Sequence, residues 1–417
     1  MQFVHFKYFM KPVVIIGAGM AGLQAASQLH LNQIPFILVD AQNYVGGRLH
    51  SENFKGFTLD AGFQVLQTNY PEVQRSLDLP ALDMAAFESG AYLWNLDSWL
   101  AFVNPLKQPG SLFRVLSSGI MSIKDAFLLA RLWFITQADV QALRSLESTQ
   151  DFLNRWGFSP KFQSHFLRPF FGGIFLSADL NPPASLFRYY MKQFLEGTAA
   201  IPAAGIGAIP LQMAAALPAD SIRLGMQVTQ ISAHQVNLSD GTSVEASRVI
   251  LATDASAAAK LLGVSLEKGA FWSTKTFYFQ APASADKKSM LHLVPNSRVL
   301  HYAYLNHVQP TYAPPGQDLI SVTTLDVSMH SADVLAELAP FVGPSIQKWA
   351  FLKEYLLPEA LPVVGAFDEL KQKAVEAGIV LAGDFTGFPS LQSAMNSGRL
   401  AAEVCQKPWY LSGNFTA

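Results

Sequence analysis

Cysteine is almost missing from this chain of 417 residues, where Cys405 stands alone. A single thiol excludes disulfides within the chain, Cys-x-x-Cys redox centres and thiolate metal clusters, and it suits a reducing, cytoplasmic compartment. Charge is also scarce. Only 14% of residues are Asp, Glu, Lys or Arg, and the 29 basic and 31 acidic side chains nearly cancel. No dense basic stripe occurs, so nucleic acid is not an expected partner. The nine histidines include no His-x-x-x-His pair and no His-Glu-x-x-His. No metal is therefore expected, and His301 and His307 read as structural residues of a strand-rich region. Long apolar runs are missing too. The best candidate for a membrane span, Leu112 to Ile135, is interrupted by Arg114, Lys124, Asp125 and Arg131. It reads as helices with apolar faces, either packed in a core or resting on a bilayer as a peripheral contact. Met1 to Lys11 lacks the small-residue cleavage site of a secretory leader, so no leader is expected. Internal repeats and low-complexity tracts do not occur.

Apolar surface is what the chain has in quantity, with 50% hydrophobic residues and 30 Phe. A large core accounts for part of this, and an apolar substrate tunnel or a membrane-facing patch would account for the rest. The length exceeds one typical domain and points to two intertwined ones. The most specific pattern runs from Val13 to Arg48, VVIIGAGMAGLQAASQLHLNQIPFILVDAQNYVGGR. The β-branched run Val13 to Ile16 reads as a buried parallel strand, followed directly by Gly17, Gly19 and Gly22 in the G-x-G-x-x-G pattern. Gly17 permits the tight turn, Gly19 lets the backbone approach a pyrophosphate, and Gly22 allows close packing of a helix that runs to about Leu31. The amides around Met20 and Ala21 at that helix start face the phosphates. A second strand, Phe36 to Val39, ends in Asp40 and Ala41, where the acid can accept hydrogen bonds from ribose hydroxyls. Just beyond it, Gly46 and Gly47 permit a second close approach and Arg48 supplies a fixed charge suited to phosphate.

A second pattern lies at Gly378 to Val404, GIVLAGDFTGFPSLQSAMNSGRLAAEV. Ile379 to Ala382 reads as a short strand, Gly383 permits close approach, and Asp384 offers a carboxylate to hydroxyls. A helix from about Leu391 to Cys405 presents its N-terminal dipole, which stabilises an anion.

Taken together, GxGxxGLxxAxxL, the acid closing the second strand, and GGRxxS ending at Ser51 resemble the flavoprotein superfamily of monoamine oxidases, protoporphyrinogen oxidases and plant-type phytoene desaturases. The Gly378 to Val404 segment resembles that superfamily's closing FAD motif. The resemblance implies an α/β fold, α+β overall, with a Rossmann-like FAD-binding domain and an interleaved substrate domain of mixed sheet and helices. It implies contacts to FAD from Gly383 and Asp384, and from Ser390, Leu391 and Ala394 at the start of the last helix. Gly56 to Gln64 resembles the segment running back toward the flavin, with Asp60 to Gly62 as its turn and Gly62 and Phe63 at the cofactor. Ile201 to Pro210 resembles the PxGGMG loop, with Ala204 in place of its first glycine. Val228 matches the residue whose backbone pairs with adenine. Relatives that attach flavin covalently use a cysteine before the last helix, whereas Cys405 lies near its end, so non-covalent FAD is expected.

The domain reading is discontinuous, with residues 1–70, 196–265 and 366–417 binding FAD and residues 71–195 and 266–365 binding substrate. The pattern from about Pro71 to Phe194 is mostly helical. Thr274 to Gln280, Val299 to Leu305 and Leu319 to Leu325 read as strands, and Asp240-Gly241 as a hairpin turn. No second G-x-G-x-x-G follows, so a nicotinamide domain is not expected. Electrons would enter from a small apolar organic substrate and leave to oxygen, a quinone or another acceptor. The expected chemistry is hydride transfer from a substrate carbon to flavin N5, of the desaturase or dehydrogenase kind. No catalytic residue is nominated, and Lys275 reads as a strand-end surface lysine. Ser390 stands where amine oxidases carry a cage tyrosine, while LAGDFT resembles the desaturase ending. Amine oxidation is the alternative. A lipid carrier like the Rab GDP-dissociation inhibitors, which share the fold without flavin, is a second one.

Overall fold

The computed structural model describes residues 11–104, 108–138 and 147–406. The leader reading of Met1 to Lys11 thus falls, except for Lys11, outside the described residues. The opening strand, Val13–Ile16, is buried along its whole length. It pairs in parallel with Phe36–Val39 on one side and Arg248–Leu251 on the other. Ile222–Arg223 and Val380–Leu381 complete a five-stranded parallel sheet. The run is apolar at every position because both faces are covered. Val13 and Ile15 pack with Leu23, Ala26, Met395 and Ala401 of the first helix, Met20–Leu31, and the closing helix, Leu391–Gln406. Val14 and Ile16 pack on the opposite side with Val236, Phe367, Leu370 and Phe385. The two helices cross where Gly398 meets Ala21, and a β-carbon at 398 would lie 2.0 Å from the Ala21 carbonyl oxygen.

A second sheet has seven strands in the spatial order 350–362, 271–282, 317–324, 299–304, 291–293, 90–95 and 98–103. Its neighbours run antiparallel except for Leu291–Leu293 beside Gly90–Asn95. Ala350–Pro362 contains Pro358 and forms an edge, where a missing amide is tolerated. One face of the sheet is covered by Ser331–Val342 through Val334 and Leu338. Helices between residues 109 and 196 cover another part through Phe162, Phe171 and Phe187.

The run from Pro71 to Phe194 is mostly helical among the described residues, with one main exception. Gly90–Asn95 and Ser98–Val103 form a hairpin of the seven-stranded sheet. Period-two burial is present, with Ala91 and Leu93 inward, but no Asn-Gly or Asp-Gly marks the turn. Leu96 itself takes the left-handed conformation there, with φ 58°. The strands read at 274, 299 and 319 form, as Phe271–Pro282, Val299–Tyr304 and Gln317–Thr324. The Asp240-Gly241 turn forms with Gly241 at φ 84°. Among the described residues, no helix is long and apolar enough to cross a membrane.

Candidate functional site

A cavity of about 1350 Å³ runs from the C-terminal ends of the parallel strands to the helices that cover the second sheet. That exceeds the roughly 300–1,000 Å³ of a site for one small ligand, and it suits a long cofactor with a substrate beside it.

At the sheet end, two glycine turns meet back to back. Gly19 bridges to Gly46, whose amide donates to the Ala18 carbonyl at 2.8 Å. Gly17 has φ 105°, and a β-carbon there would lie 2.6 Å from the Ala252 carbonyl oxygen. At Gly19 a β-carbon would meet nothing within 4 Å and would project into open space. The backbone there is bare toward the cavity, which is the cradle a phosphate needs. Asp40 ties the turn down, its carboxylate accepting from the Ala18 amide at 2.6 Å and the Gln42 amide at 2.7 Å.

Arg48 closes this end. Its guanidinium reaches Asp384 at 2.7 Å and the Ala360 carbonyl at 2.7 Å, joining the second glycine turn to the C-terminal motif. Burial works against the Arg48 charge, but the Asp384 carboxylate prevails and raises its pKa. Ser390 caps the closing helix by accepting from the Ser393 amide at 3.0 Å, so that helix directs its N-terminal end at the cavity.

Of the sequence-predicted residues, Gly17, Gly19, Met20, Ala21, Asp40, Ala41, Gly46, Gly47, Arg48, Phe63, Val228, Gly383, Asp384, Ser390, Leu391 and Ala394 all line this one cavity. Gly22 and Gly62 are not among the lining residues. Gly22 packs under the first turn, where a β-carbon would lie 1.8 Å from the Gly17 carbonyl oxygen. Gly62 packs against Leu357, 2.5 Å from where its β-carbon would be. The loop at 201–210 also turns away from the cavity. Its Ile206 amide donates to Asp60 and its Gly207 amide to Ser51, while Pro210 backs Gly46. The sequence reading missed Thr253, Asp254 and Lys260, which line the cavity just after the strand Arg248–Leu251. Their signal was available, because ligands in open α/β sheets bind beyond the carboxyl ends of the strands.

The other end is aromatic. Phe87, Phe102, Phe166, Phe170 and Phe194 line it. A five-residue π-helical stretch, Gln163–Leu167, precedes the helix Arg168–Phe175, and Phe166 and Phe170 stack with centroids 5.5 Å apart. Such π turns reset helical phase and bring extra side chains to one face. Lys275 is neither at the surface nor at the cavity, which corrects its reading. It is buried on the opposite face of its strand, bonded to the Met329 carbonyl and paired with Glu354 at 2.9 Å. Strand alternation turns its neighbour Thr276 toward the cavity instead. His307 is structural, held at 2.8 Å from Asp318. His301 is different, since it lines the cavity.

Over 168 residues the chain is 26% identical to protoporphyrinogen oxidase 2 of Arabidopsis thaliana, covering 39% of this chain and 32% of that protein. Over 57 residues it is 42% identical to a phytoene desaturase (lycopene-forming) of Pantoea ananas, covering 14% of this chain and 12% of that protein. The matched stretches span a third or less of these relatives' length. The crystal structure of an oxidoreductase from Methanosarcina mazei aligns with a TM-score of 0.73 at 19% identity, covering 94% of this chain and 100% of that one, which shows a shared fold. The profile of the family described as flavin containing amine oxidoreductase matches residues 20–406, so this protein belongs to that family and takes a flavin as its cofactor.

Proposed function

We propose that the protein is an FAD-dependent oxidoreductase acting on an uncharged, largely apolar organic molecule. The observation that carries this reading is the continuity of one cavity from the glycine cradle to the aromatic chamber. Gly17, Gly19 and the N-terminal turn of the first helix would hold the pyrophosphate, Asp40 a ribose, and Val228 the adenine. Arg48, Asp384 and the start of the closing helix would hold the flavin end. Cys405 argues for non-covalent attachment, because it sits roughly 20 Å along the closing helix from Leu391. Burial also pushes its thiol up to about 12, so it stays protonated. When bound, the flavin supplies a hydride acceptor, and oxygen or a quinone would reoxidise it.

The chain's own contribution is binding, orientation and exclusion of water. Among the described residues lining the aromatic end, Glu88 is the one carboxylate, and it is exposed. A protonated amine would enter without a buried counter-charge, which costs heavily. That favours carbon oxidation over amine oxidation, the reading the family's description suggests. The intact Gly46-Gly47-Arg48 turn and the Arg48–Asp384 pair speak against a flavin-free carrier.

We divide the labour as residues 1–70, 196–265 and 366–417 for the cofactor, and 71–195 and 266–365 for the substrate. The helices Pro109–Ser117 and Ile123–Ala138 add a surface to the second group. Phe113, Ile123 and Phe127 are exposed on them beside Arg114, Lys124 and Arg131. Asp125 is buried and bonded to Ser122 and Ser159. Exposed apolar side chains interleaved with Arg114, Lys124 and Arg131 suit the headgroups of an anionic bilayer, and this protein would work at such a surface in the cytoplasm.

Purified protein should be yellow, and acid precipitation should release the flavin into the supernatant. Anaerobic addition of apolar polyenes and alcohols should bleach it. Bleaching by simple amines alone would overturn the proposed substrate class, and colourless protein that cannot be reconstituted with FAD would overturn the enzyme itself.

A further inference from the structure

Three polar side chains stand in register across adjacent strands of the second sheet. Thr276 lies opposite Thr323, and Thr323 lies opposite His301. Directly opposed residues share one face with close β-carbons, and all three line the cavity. Their strand neighbours Val322 and Tyr302 point the other way, into the core under Ser331–Val342. The row therefore turns polar groups from three adjacent strands of this sheet toward the cavity, beside Thr274 on the strand of Thr276.

Thr276 has a partner, accepting from the Phe63 amide at 3.2 Å. His301 and Thr323 have none. Both ring nitrogens of His301 and the hydroxyl of Thr323 are buried without a hydrogen-bond partner among the described residues. His301 is 4% exposed and Thr323 3%. Buried polar atoms in native proteins are nearly always satisfied, and leaving three unmade in one place is costly. The surroundings are shaped to keep the ring there. A β-carbon on Gly173 would lie 2.9 Å from its Cε1 and 3.0 Å from its Nδ1, so glycine leaves the imidazole its room. The Phe63 ring stands against it edge to face at 5.0 Å.

We propose that His301, with Thr323 beside it, is the polar anchor for an uncharged oxygen-bearing group, a hydroxyl or a carbonyl, on an otherwise apolar substrate. This rests on the oxidoreductase reading and narrows its substrate class. Burial holds the imidazole neutral by pulling its pKa down to about 4. A neutral imidazole offers one donor and one acceptor, and a threonine hydroxyl offers both. Together they satisfy a hydroxyl in both senses, or a carbonyl through two donors. They supply no negative charge, so an ammonium gains no ion pair there.

The test uses the full-length flavin-loaded protein at pH 7.5 with 1-dodecanol and dodecylamine, which share a chain and differ in head group. Binding is read twice, by the flavin absorption spectrum and by tryptophan fluorescence. The wild type should bind dodecanol about tenfold more tightly than dodecylammonium, the preference one good hydrogen bond gives. His301→Phe should lose about tenfold in dodecanol affinity with unchanged flavin content, and His301→Gln should recover most of it. If His301→Phe fails to fold, Thr323→Val and the nitrogen-15 shifts of the His301 ring carry the test, and the shifts should move on adding dodecanol. Equal affinities, a preference for the amine, or unmoved ring shifts would overturn the anchor. Colourless protein would overturn the oxidoreductase reading, while tryptophan fluorescence would still decide the anchor.

Discussion

Arg48 holds a charge where three segments distant in sequence converge, the second glycine turn, Ala360 and Asp384. Its side chain is 40% exposed while that of Asp384 is 8% exposed, so the pair is neither fully buried nor a surface pair. Arg48→Met should weaken flavin retention by about 1–3 kcal/mol, between the values for exposed and buried pairs. Flavin content after extensive dialysis measures it. Arg48→Lys should recover only part, because a single ammonium cannot reach both partners in the guanidinium's forked geometry. Asp60 gives a pH signature. Burial pushes its pKa up to about 6 against the opposing bonds from Ser51, Ile206 and Tyr312. A raised folded pKa means that the folded state binds the proton more tightly. The stabilising contribution is therefore full below about pH 4, and it is lost as pH rises through about 6. Wild type should lose on the order of 2 to 3 kcal/mol relative to Asp60→Asn across that window, read by chemical denaturation at each pH. The charge at 48 was legible in sequence as GGR, whereas the burial of Asp60 was not, since its partner Tyr312 arrives from the short turn Pro310–Tyr312, 252 residues away.

Helix against helix, the contact between Met20–Leu31 and Leu391–Gln406 depends on Gly398. Its missing β-carbon would overlap the Ala21 carbonyl oxygen at 2.0 Å, and backbone cannot give way as a flexible side chain can. Gly398→Ala should destabilise by about 1–3 kcal/mol and lower flavin content, checked by thermal unfolding with and without added FAD. At this scale the glycine-turn end of the cavity was readable because each element carries a local signal, as with the four apolar residues of Val13–Ile16 or the three glycines after them. The hairpin at 90–103 was not readable, because Leu96 makes its turn without a turn residue. Lys275 was misread for a related reason. Its partners are the Met329 carbonyl and Glu354 on a neighbouring strand, and pairing across the fold leaves no trace within the STKTFYF segment.

As a whole the molecule joins a charged, polar cradle to an aromatic chamber, and the chamber's outer helices carry exposed Phe113, Ile123 and Phe127 amid cations. The protein should co-sediment with vesicles containing phosphatidylserine and much less with neutral phosphatidylcholine vesicles, and the attraction should weaken as salt rises. Replacing Phe113 and Phe127 with Ser should reduce binding to anionic vesicles at least severalfold while flavin content is kept. Unchanged sedimentation would sink the bilayer surface. His301 shows how far sequence could reach at this scale. The strand was visible, but an imidazole becomes a candidate only when Gly173 and Thr323 are seen around it.

The crossing at Gly398 also bears on how the protein is made. Strand Val380–Leu381, the Asp384 partner of Arg48 and the closing helix leave the ribosome long after the glycine cradle. Contacts of such sequence separation form late. A nascent chain arrested before Gly383 would present half a cradle, with Arg48 unpaired and no helix end to complete it. Cofactor capture then waits until the closing helix has been made, however early the glycine turns emerge.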